Sequence, residues 1–468
     1  LAEYAYSQGD FEAANQGYKI VIDDYPDSVY RPYALYGRGW SNLRERKLAD
    51  AEQNFTTLIE QSPEHKLVNQ SLYARGMSRQ QAGEFEKALD DVAAYLENVP
   101  DGNRQAEGLY IRGLSQAGLK QLDEAIATFE SIVQKHPEYA GMDRVLYELA
   151  WAQKDGSKNE DAIATFRQLT ETYPASGFVA ESLYHLGEAS YVAKDYKNAA
   201  DLYERARSQV SGNPDLAEKV LYKLGWSNYQ RKQVDAALAS FVDQVKEFPQ
   251  GKLLGDAHFM QGECQFQTGK YDQALTAYAA ATAHPLSSNT IKTLAYLHAG
   301  QAAAQLEKWQ ESLELLEKID GDQPQSAFGL EIKYEMAWAQ QNLGNLEVAE
   351  QLYGDVAAKS RGPLKARAGF MLGELKYAQK EYADAIRQFR KVMYGFGEDA
   401  PEQVRDWQAK AGFEAGQCAG ILASQRDKPA DRERLVALAK LFFTYVVERH
   451  PNSEEAKAAS RQLQEYET

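Results

Sequence analysis

The sequence predicts an all-α protein built from repeated helix pairs. Three observations support this prediction: a period of about 37 residues, apolar positions at helical spacing within each period, and a short break that divides it into two helices. The period is marked by a recurring alanine, found at Ala14, Ala51, Ala88, Ala125, Ala162, Ala199, Ala237, Ala274, Ala349, Ala385 and Ala439, with Ser312 in the same place of one unit. Twelve units therefore cover nearly all of the 468 residues.

The first helix of each unit carries a small residue at one fixed place. It is Ala2, Gly39, Gly76, Gly113, Ala150, Gly187, Gly225, Gly262, Gly300, Ala337, Gly373 and Gly416. Glycine inside a helix costs roughly 1 kcal/mol relative to alanine, so its recurrence needs a structural reason. We expect the small residue to let the two helices of a pair approach closely, while a large side chain such as Phe129, Phe166 or Tyr203 fills the space beyond.

Turns and prolines define the ends of the helices. Glycine marks the break within several units, at Gly9, Gly83, Gly269 and Gly344, because glycine readily ends a helix. Proline closes many units, at Pro26, Pro63, Pro100, Pro137, Pro174, Pro249, Pro324 and Pro451. Proline cannot continue a helix and restricts the residue before it, so each unit is expected to end there.

This pattern resembles the tetratricopeptide repeat (TPR), with a small residue at position 8, alanine at 20, an aromatic residue at 24 and proline at 32 of each unit. The resemblance implies a right-handed α-solenoid, a superhelix of about twelve TPR-like helix pairs whose first helices line a concave groove. The period exceeds the 34 residues of the standard repeat. With linkers such as Tyr173-Pro174-Ala175-Ser176, it is similar to bacterial envelope TPR proteins, which include outer-membrane assembly lipoproteins and periplasmic TPR proteins associated with the Tol-Pal system.

We expect one continuous solenoid with three parts. Residues 1–393 hold units one to eleven, the first of which is truncated at its N-terminus, so the natural chain is expected to continue upstream of Leu1. Residues 394–451 form an irregular twelfth unit with two insertions, at 395–406 and 424–434. Insertions in solenoids usually form surface loops, and we expect loops at both places.

Residues 452–468 are predicted to form a C-terminal capping helix. Asn452 or Ser453 can cap its N-terminus, because a side-chain oxygen there accepts a hydrogen bond from a free backbone N–H group. Its narrow apolar stripe consists of Ala456, Ala459 and Leu463. The remaining positions are polar, as the last element of a repeat array requires.

Composition and motifs exclude several classes of function. Lys and Arg number 52 against 68 Asp and Glu, a net charge of −16, which argues against nucleic-acid binding because phosphates need clustered cations. The longest apolar stretch, residues 435–447, contains Lys440 and is too short to span a membrane. The histidines do not cluster, and no nucleotide-binding loop or catalytic motif occurs. We therefore predict no metal, no cofactor and no catalytic residue.

Family geometry places positions 2, 5, 9 and 12 of the first helices on the groove. Position 2 carries charges of opposite sign in successive repeats, which suggests charge pairs between repeats. Aromatic residues concentrate at the other three positions. The candidate partner-binding residues are Tyr36, Trp40, Tyr73, Tyr110, Tyr147, Trp151, Tyr184, Tyr222, Trp226, Tyr334 and Trp338. Aromatic side chains with a polar group are favoured as binding anchors. The alternative is that the tyrosines at position 5, common in the family, pack against neighbouring helices.

Three successive units also carry arginine directly before the small residue. Arg38, Arg75 and Arg112 form a candidate site for an anion or an acidic segment of a partner, because a guanidinium group binds carboxylates through two parallel hydrogen bonds. The alternative is that each arginine pairs with a carboxylate of a second helix, such as Asp90, Asp91 or Glu52.

These observations predict a non-enzymatic scaffold that binds a protein partner along its concave groove. The resemblance implies a place in a bacterial cell-envelope complex, periplasmic or outer-membrane-associated, with membrane association through an upstream anchor or a partner. One alternative is a periplasmic scaffold that handles or exports polysaccharide or peptidoglycan, in which aromatic rings stack on sugars. A second alternative is a cytoplasmic TPR adaptor.

Overall fold

A computed structural model describes residues 1–99, 102–319, 328–397 and 400–466, and all regular elements within these ranges are α-helices. The predicted unit-closing Pro100 and Pro324, and residues 398–399 of the first insertion, lie outside the described residues. The chain divides into two compact parts, residues 1–233 and 234–468. From here on we call them the first unit and the second unit, and we call a single helix pair a repeat. That these two units form one continuous solenoid stays a prediction.

The first unit contains thirteen helices in its described part. They are α1 (Ala2–Ser7), α2 (Phe11–Asp24), α3 (Arg31–Arg44), α4 (Leu48–Gln61), α5 (Val68–Gln81), α6 (Phe85–Glu97), α7 (Asn103–Gly118), α8 (Leu122–Lys135), α9 (Met142–Asp155), α10 (Asn159–Thr172), α11 (Val179–Val192), α12 (Tyr196–Gln209) and α13 (Pro214–Gln230). Each helix contacts the next, and odd-numbered helices such as α3 and α5 also contact each other.

The second unit contains twelve helices among its described residues. They are α14 (Val234–Glu247), α15 (Leu254–Gln267), α16 (Tyr271–Thr282), α17 (Asn289–Gln305), α18 (Trp309–Glu317), α19 (Gly329–Asn342), α20 (Leu346–Lys359), α21 (Gly362–Ala378), α22 (Tyr382–Tyr394), α23 (Glu402–Ser424), α24 (Pro429–Arg449) and α25 (Glu454–Glu465). Consecutive helices contact each other here as well. Within each unit the helices therefore stack as the TPR-like pairs of an α-solenoid, which confirms the predicted fold class.

The turns within the pairs use a left-handed backbone conformation. Gly9, Gly83, Gly269 and Gly344 have φ between 73° and 84°, as the sequence breaks predicted. Other turns place a polar residue in the same conformation, for example Lys120 at φ 61° and Lys194 at φ 63°. Glycine adopts the left-handed conformation at little energetic cost. After a helix, this conformation lets the following backbone N–H groups donate to the last free carbonyl groups of the helix.

The close approach of the two helices in a pair is visible at the small residues of position 8. A Cβ atom on Gly187 would lie 2.6 Å from Cε1 of Tyr203, and one on Gly113 would lie 2.5 Å from Cε1 of Phe129. Both rings are fully buried, as is Ala199 of the recurring alanine series. At these two positions the contact between first and second helix, which we call the seam, therefore leaves no room for a Cβ atom, as predicted from the sequence.

The irregular twelfth pair corrects one expectation. The second insertion was expected to form a loop, but α23 extends to Ser424 and α24 begins at Pro429, so most of the inserted residues lengthen helices. The long helices are possible because Pro429 occupies the first turn of α24, where its missing N–H group is not needed. Of the described part of the first insertion, residues 402–406 lie within α23.

The C-terminal capping helix has the predicted structure in its described residues. The Ser453 side chain accepts a hydrogen bond from the Ala456 N–H group at 3.0 Å, so Ser453, rather than Asn452, is the cap. Ala456 and Ala459 are buried, and Leu463 packs partly buried against the same cluster. Separately, no helix among the described residues has the length and apolar character needed to cross a bilayer.

The close packing at the seam predicts how a larger residue in place of Gly187 changes the stability of the protein. Gly187→Leu is expected to lower the free energy of unfolding by about 1–3 kcal/mol, because the buried Tyr203 ring cannot move away from the new side chain. Gly354→Leu is the matched control: Gly354 lies within α20 with open space around its Cβ position. It should leave stability unchanged or raise it, since leucine favours helix more than glycine does. Urea unfolding followed by circular dichroism measures both, and equal losses would contradict the packing argument.

Candidate functional site

The predicted partner-binding aromatics lie on the odd-numbered helices of the two units. Nine belong to α3, α5, α7, α9, α11 and α13 of the first unit, and Tyr334 and Trp338 belong to α19 of the second. Ten of the eleven are half-buried, whereas Tyr334 is only 2% exposed. We call the side of these helices that carries the eleven residues the groove face. Each unit thus presents its own stretch of groove face.

The position-5 tyrosines pack on the aromatic residues of the second helices. Ring centroids of Tyr110 and Phe129 are 6.2 Å apart, and those of Tyr184 and Tyr203 are 5.9 Å apart. Burial raises the pKa of Tyr184 to about 12, because loss of water disfavours the charged phenolate. These contacts support the alternative interpretation for position 5, in which the tyrosines are mainly packing residues.

The tryptophans at position 9 make more varied contacts. The Trp151 ring lies 4.7 Å from the imidazole of His185, edge to face, and the Lys154 ammonium lies 4.5 Å from its centroid. Trp338 instead packs edge to face on Trp309 at 5.2 Å. All four tryptophans keep part of their surface exposed. The tryptophan of α3 lines a cavity of about 490 Å³, and another cavity opens beside Trp151.

This cavity has a volume of about 570 Å³ and lies between α9, α10 and α11. Its lining is Lys154, Asn159, Ala162, Ile163, Phe166, Tyr184, His185, Glu188, Ala189 and Val192. Pockets of this size with mostly apolar walls and a few polar groups are typical ligand sites. We call it the α9–α11 pocket. Of the predicted site residues, Tyr184 lines it directly, and Trp151 lies next to it through His185.

A chain of polar contacts crosses the entrance of the α9–α11 pocket. Lys154 Nζ lies 3.0 Å from His185 Nδ1, and the other ring nitrogen, Nε2, lies 3.9 Å from Glu181 Oε1. The neighbouring His185 lowers the pKa of Glu181, with a further contribution from Tyr147. Lys154 can donate to Nδ1 only when that nitrogen carries no proton. The imidazole therefore separates the ammonium of Lys154 from the carboxylate of Glu181.

The carboxylate in the pocket lining has partners of its own. Glu188 accepts hydrogen bonds from Lys223 Nζ at 3.0 Å and from the Tyr203 hydroxyl. The pKa of Tyr203 is raised, first by burial and then by its hydrogen bond to this carboxylate. Glu188 is at position 9 of one first helix and Lys223 is at position 6 of the next, so the pair ties α11 to α13.

The same position-9 to position-6 contact recurs in the second unit. Glu263 Oε1 lies 2.6 Å from His298 Nδ1, and Gln301 Nε2 donates to Glu335 Oε1 at 3.2 Å. The sequence suggested pairing of charges between repeats at position 2 and not at positions 9 and 6. The signal was available: complementary residues recur 34 or 35 positions apart at these two places.

The three predicted arginines have different surroundings. Arg75 binds Asp91 through Nε at 3.1 Å and Nη2 at 2.6 Å, while its Nη1 donates to Thr56. Arg112 is exposed, and the Nε atom of Arg38 is buried without a hydrogen-bond partner. For Arg75, then, the structure favours the alternative interpretation, a pair with a carboxylate of the second helix.

Asp91 also binds a second arginine that sequence analysis did not single out. Arg79 Nη1 donates to Asp91 Oδ2 at 2.8 Å, and Arg79 Nε donates to Glu52 Oε1 at 2.8 Å. The Asp91 side chain is 3% exposed, whereas both arginine side chains are 14% exposed. The network links α4, α5 and α6, and its buried centre is a single carboxylate.

Removing that carboxylate should destabilise the first unit strongly. Asp91→Ala leaves two guanidinium groups facing each other without their shared partner, which is expected to cost about 3 kcal/mol. Asp90→Ala is the matched control, because Asp90 is the exposed neighbour on the same helix. Thermal unfolding should show a clear loss for the first variant and almost none for the second. Equal melting temperatures would show that the network contributes little.

In the second unit the position-9 residue of the eleventh repeat, Glu374, is near another acid. Burial raises the pKa of Glu414 to about 7, and the charges of Glu374 and Glu455 add to this shift. Burial also raises the pKa of Glu374, whose Oε1 atom is buried without a hydrogen-bond partner. Whereas Glu188 with Lys223 and Glu263 with His298 bring together an acid and a base, this part of the groove face holds neighbouring carboxyl groups.

This arrangement predicts a pH-dependent stability. Because the folded state raises the pKa of Glu414 from 4.5 to about 7, it binds this proton more tightly than the unfolded chain does. The resulting stabilisation is complete below pH 4.5 and is lost as the pH rises to about 7. Glu414→Gln should flatten the decline in urea midpoint between pH 5 and 8, whereas Glu402→Gln, an exposed site on the same helix, should not. Parallel profiles for Glu414→Gln and the unaltered protein would refute this assignment.

Comparison with known protein structures finds other repeat proteins. PilF of Pseudomonas aeruginosa is 16% identical with a TM-score of 0.39, covering 50% of this chain and 97% of that one. YrrB, a TPR protein with an unusual peptide-binding site, is 25% identical with a TM-score of 0.36 and covers 44% and 97%. Yeast Tom70 is 14% identical with a TM-score of 0.33 and covers 81% and 94%.

Sequence comparison identifies the family. No curated protein matches the chain, but a tetratricopeptide-repeat profile matches residues 334–401, which confirms the TPR resemblance. The profile of the YfiO family, described as outer membrane lipoprotein, matches residues 1–183 and 178–354. Because these matches span well over half of the 468 residues, the chain belongs to the YfiO family of outer membrane lipoproteins.

Proposed function

We propose that this protein is a non-enzymatic scaffold that binds a protein partner along its groove face, within a bacterial cell-envelope complex. The observation that carries the proposal is the α9–α11 pocket beside Trp151, a concave and largely apolar site in an array of helix pairs. Stacked helix pairs present an extended surface, and half-buried aromatic residues beside a pocket are typical anchors of protein interfaces.

Membership of an outer membrane lipoprotein family supports a periplasmic or outer-membrane-associated location. Attachment to the membrane would then come from a lipid anchor upstream or from a partner. The proposal that the scaffold is not an enzyme is supported by its polar groups on the groove face. Glu188 with Lys223 and Glu263 with His298 join successive repeats, so these titratable groups have a structural role.

A polysaccharide or peptidoglycan ligand has less support from the geometry. Sugar rings stack on free aromatic faces, but the face of Tyr147 stacks on Phe178 at 4.4 Å. The edge-to-face contacts of Trp151 likewise involve protein rings. The aromatic residues of the groove face therefore form a less continuous stacking surface than their spacing in the sequence suggested.

The proposal is tested by identifying the partner and then removing two anchors. A photo-reactive amino acid at the exposed Val192, on the pocket rim, would crosslink the partner in cells, and the purified pair would be titrated. Trp151→Ala with Trp226→Ala is expected to weaken binding at least about tenfold, since tryptophan anchors dominate interface energies. Circular dichroism should stay unchanged.

The matched control removes two aromatic residues outside the groove face. Tyr25 and Tyr30 lie in the linker between α2 and α3 and are 62% and 68% exposed, so Tyr25→Ala with Tyr30→Ala should leave affinity intact. Full affinity in the folded double tryptophan variant would contradict binding along the groove face.

A further inference from the structure

We propose that Arg38 of α3 binds an acidic side chain of a protein partner on the side of α3 opposite the groove face. Arg38 lies two residues from both Tyr36 and Trp40, and two residues turn an α-helix by roughly 200°. Its guanidinium group therefore points away from the groove face. The partner carboxylate would take the place that Asp91 has in the next repeat. This contact goes beyond the proposed function, because it does not depend on binding along the groove face.

The guanidinium group of Arg38 has no acceptor among the described residues. Its Nε atom is buried without a hydrogen-bond partner, and no hydrogen bond or ion pair within the described ranges involves the rest of the group. A buried donor without an acceptor is unfavourable, particularly when it is charged. Because Arg38 as a whole is only half-buried, an external acceptor can reach it.

The next repeat shows which group fits an arginine in this place. The starts of α2, α3 and α4 at residues 11, 31 and 48 correspond to those of α4, α5 and α6 at residues 48, 68 and 85, a shift of 37. Arg75 takes the place of Arg38 there. It binds the Asp91 carboxylate through Nε and Nη2, and its Nη1 donates to Thr56. A planar carboxylate therefore matches this position through two hydrogen bonds.

The corresponding carboxylate is missing between α2, α3 and α4. Asn54 holds the place of Asp91, so the acid is replaced by its neutral amide. Glu45, the residue after α3, accepts hydrogen bonds from Asn15 at 2.5 Å and from Lys47 at 3.3 Å. Its carboxylate is therefore already bound to other groups, and Arg38 is left without an acid.

Formal charges show the same difference. The network of α4, α5 and α6 is neutral, since it contains two carboxylates and two guanidinium groups, from Asp91, Glu52, Arg75 and Arg79. Its counterpart carries one positive charge, because the equivalent residues are Asn54, Asn15, Arg38 and Asn42. Lys19, in the place of Thr56, adds a second positive charge. Such a site favours an incoming carboxylate, which a guanidinium group binds with a defined geometry.

The third arginine of this series has different surroundings. Thr128 holds the place of Asp91 beside Arg112, and its hydroxyl donates to Gln116 Oε1 at 2.7 Å. Arg112 itself is exposed, so water can solvate its guanidinium group. Of the three arginines, Arg38 alone combines a buried Nε atom with the absence of an acceptor in the described ranges.

Arginine Nε–H resonances test the contact on the full chain. In protein labelled with ¹⁵N-arginine, Arg38→Lys identifies the Arg38 signal by its loss. The probes are acetyl-Gly-Asp-Gly-amide and its Asn analogue, titrated at constant ionic strength. We expect the acidic peptide to shift the Arg38 signal and to bind at least about fivefold more tightly than the neutral peptide, as a charge-assisted hydrogen bond provides. The Arg75 signal is the internal control and should not move, since Asp91 already binds this arginine.

Asn54→Asp supplies the carboxylate from within the chain. It should abolish the response of Arg38 to the acidic peptide and raise the melting temperature by about 2–4 °C. Gln53→Glu is the matched control, because it makes the same change from amide to carboxylate at an exposed neighbour on α4, and it should do neither. In an Arg38→Met background, Asn54→Asp should instead lower the melting temperature, because the new carboxylate is then buried without a partner.

Three results would overturn the proposal. They are equal responses of Arg38 to the acidic and neutral peptides, a response that persists in folded Asn54→Asp, and a melting temperature of Asn54→Asp below that of Gln53→Glu. A stronger response to sodium phosphate than to the acidic peptide would assign Arg38 to a free oxyanion and also overturn it. Failure here leaves the groove-face test unaffected, because Trp151 and Trp226 lie on α9 and α13.

Discussion

The structure depends on the close contact between a small residue of each first helix and a large side chain of its partner helix. At Gly187 the ring of Tyr203 occupies the volume that any Cβ atom would need, and at Gly113 Phe129 does the same. The contact fixes the distance and rotation of the two helices in a pair. Because packed interiors tolerate little change in volume, that rotation in turn determines which positions of the first helix face the next pair.

That rotation determines which positions of successive first helices meet, and these are positions 9 and 6. They bring residues of successive first helices together, and the pairs Glu188 with Lys223 and Glu263 with His298 use this register. Half-buried charges are costly unless they are paired, so a charged residue at position 9 favours a complementary residue at position 6 of the following repeat. The neighbouring carboxyl groups Glu374 and Glu414 depart from this rule, and the raised pKa of Glu414 reports the cost.

The fold could be predicted from the sequence because every repeat satisfies the same constraint, the close packing of its two helices. The glycine and alanine series, the turn glycines and the cap near Ser453 were all predicted in this way. The candidate site was less predictable. Contacts between repeats depend on how successive first helices are aligned, and no single repeat carries that information. The order of charges in the sequence suggested pairing at position 2. It did not reveal that Asp91 of α6 binds both Arg75 and Arg79 of α5. Nor did it reveal that inserted residues after Ser424 would extend a helix.

The residues that join successive first helices vary from one step to the next, and the α9–α11 pocket lies beside one such variation. Between α11 and α13 the position-9 and position-6 residues are Glu188 and Lys223, which neutralise each other. Between α9 and α11 the same positions hold Trp151 and His185, whose rings contact each other edge to face. The ammonium of Lys154 lies against these two rings, while the apolar side chains beside it line the cavity. The residues between successive repeats can vary in this way from one step to the next, because the seam that holds the helices of each pair together is unaffected.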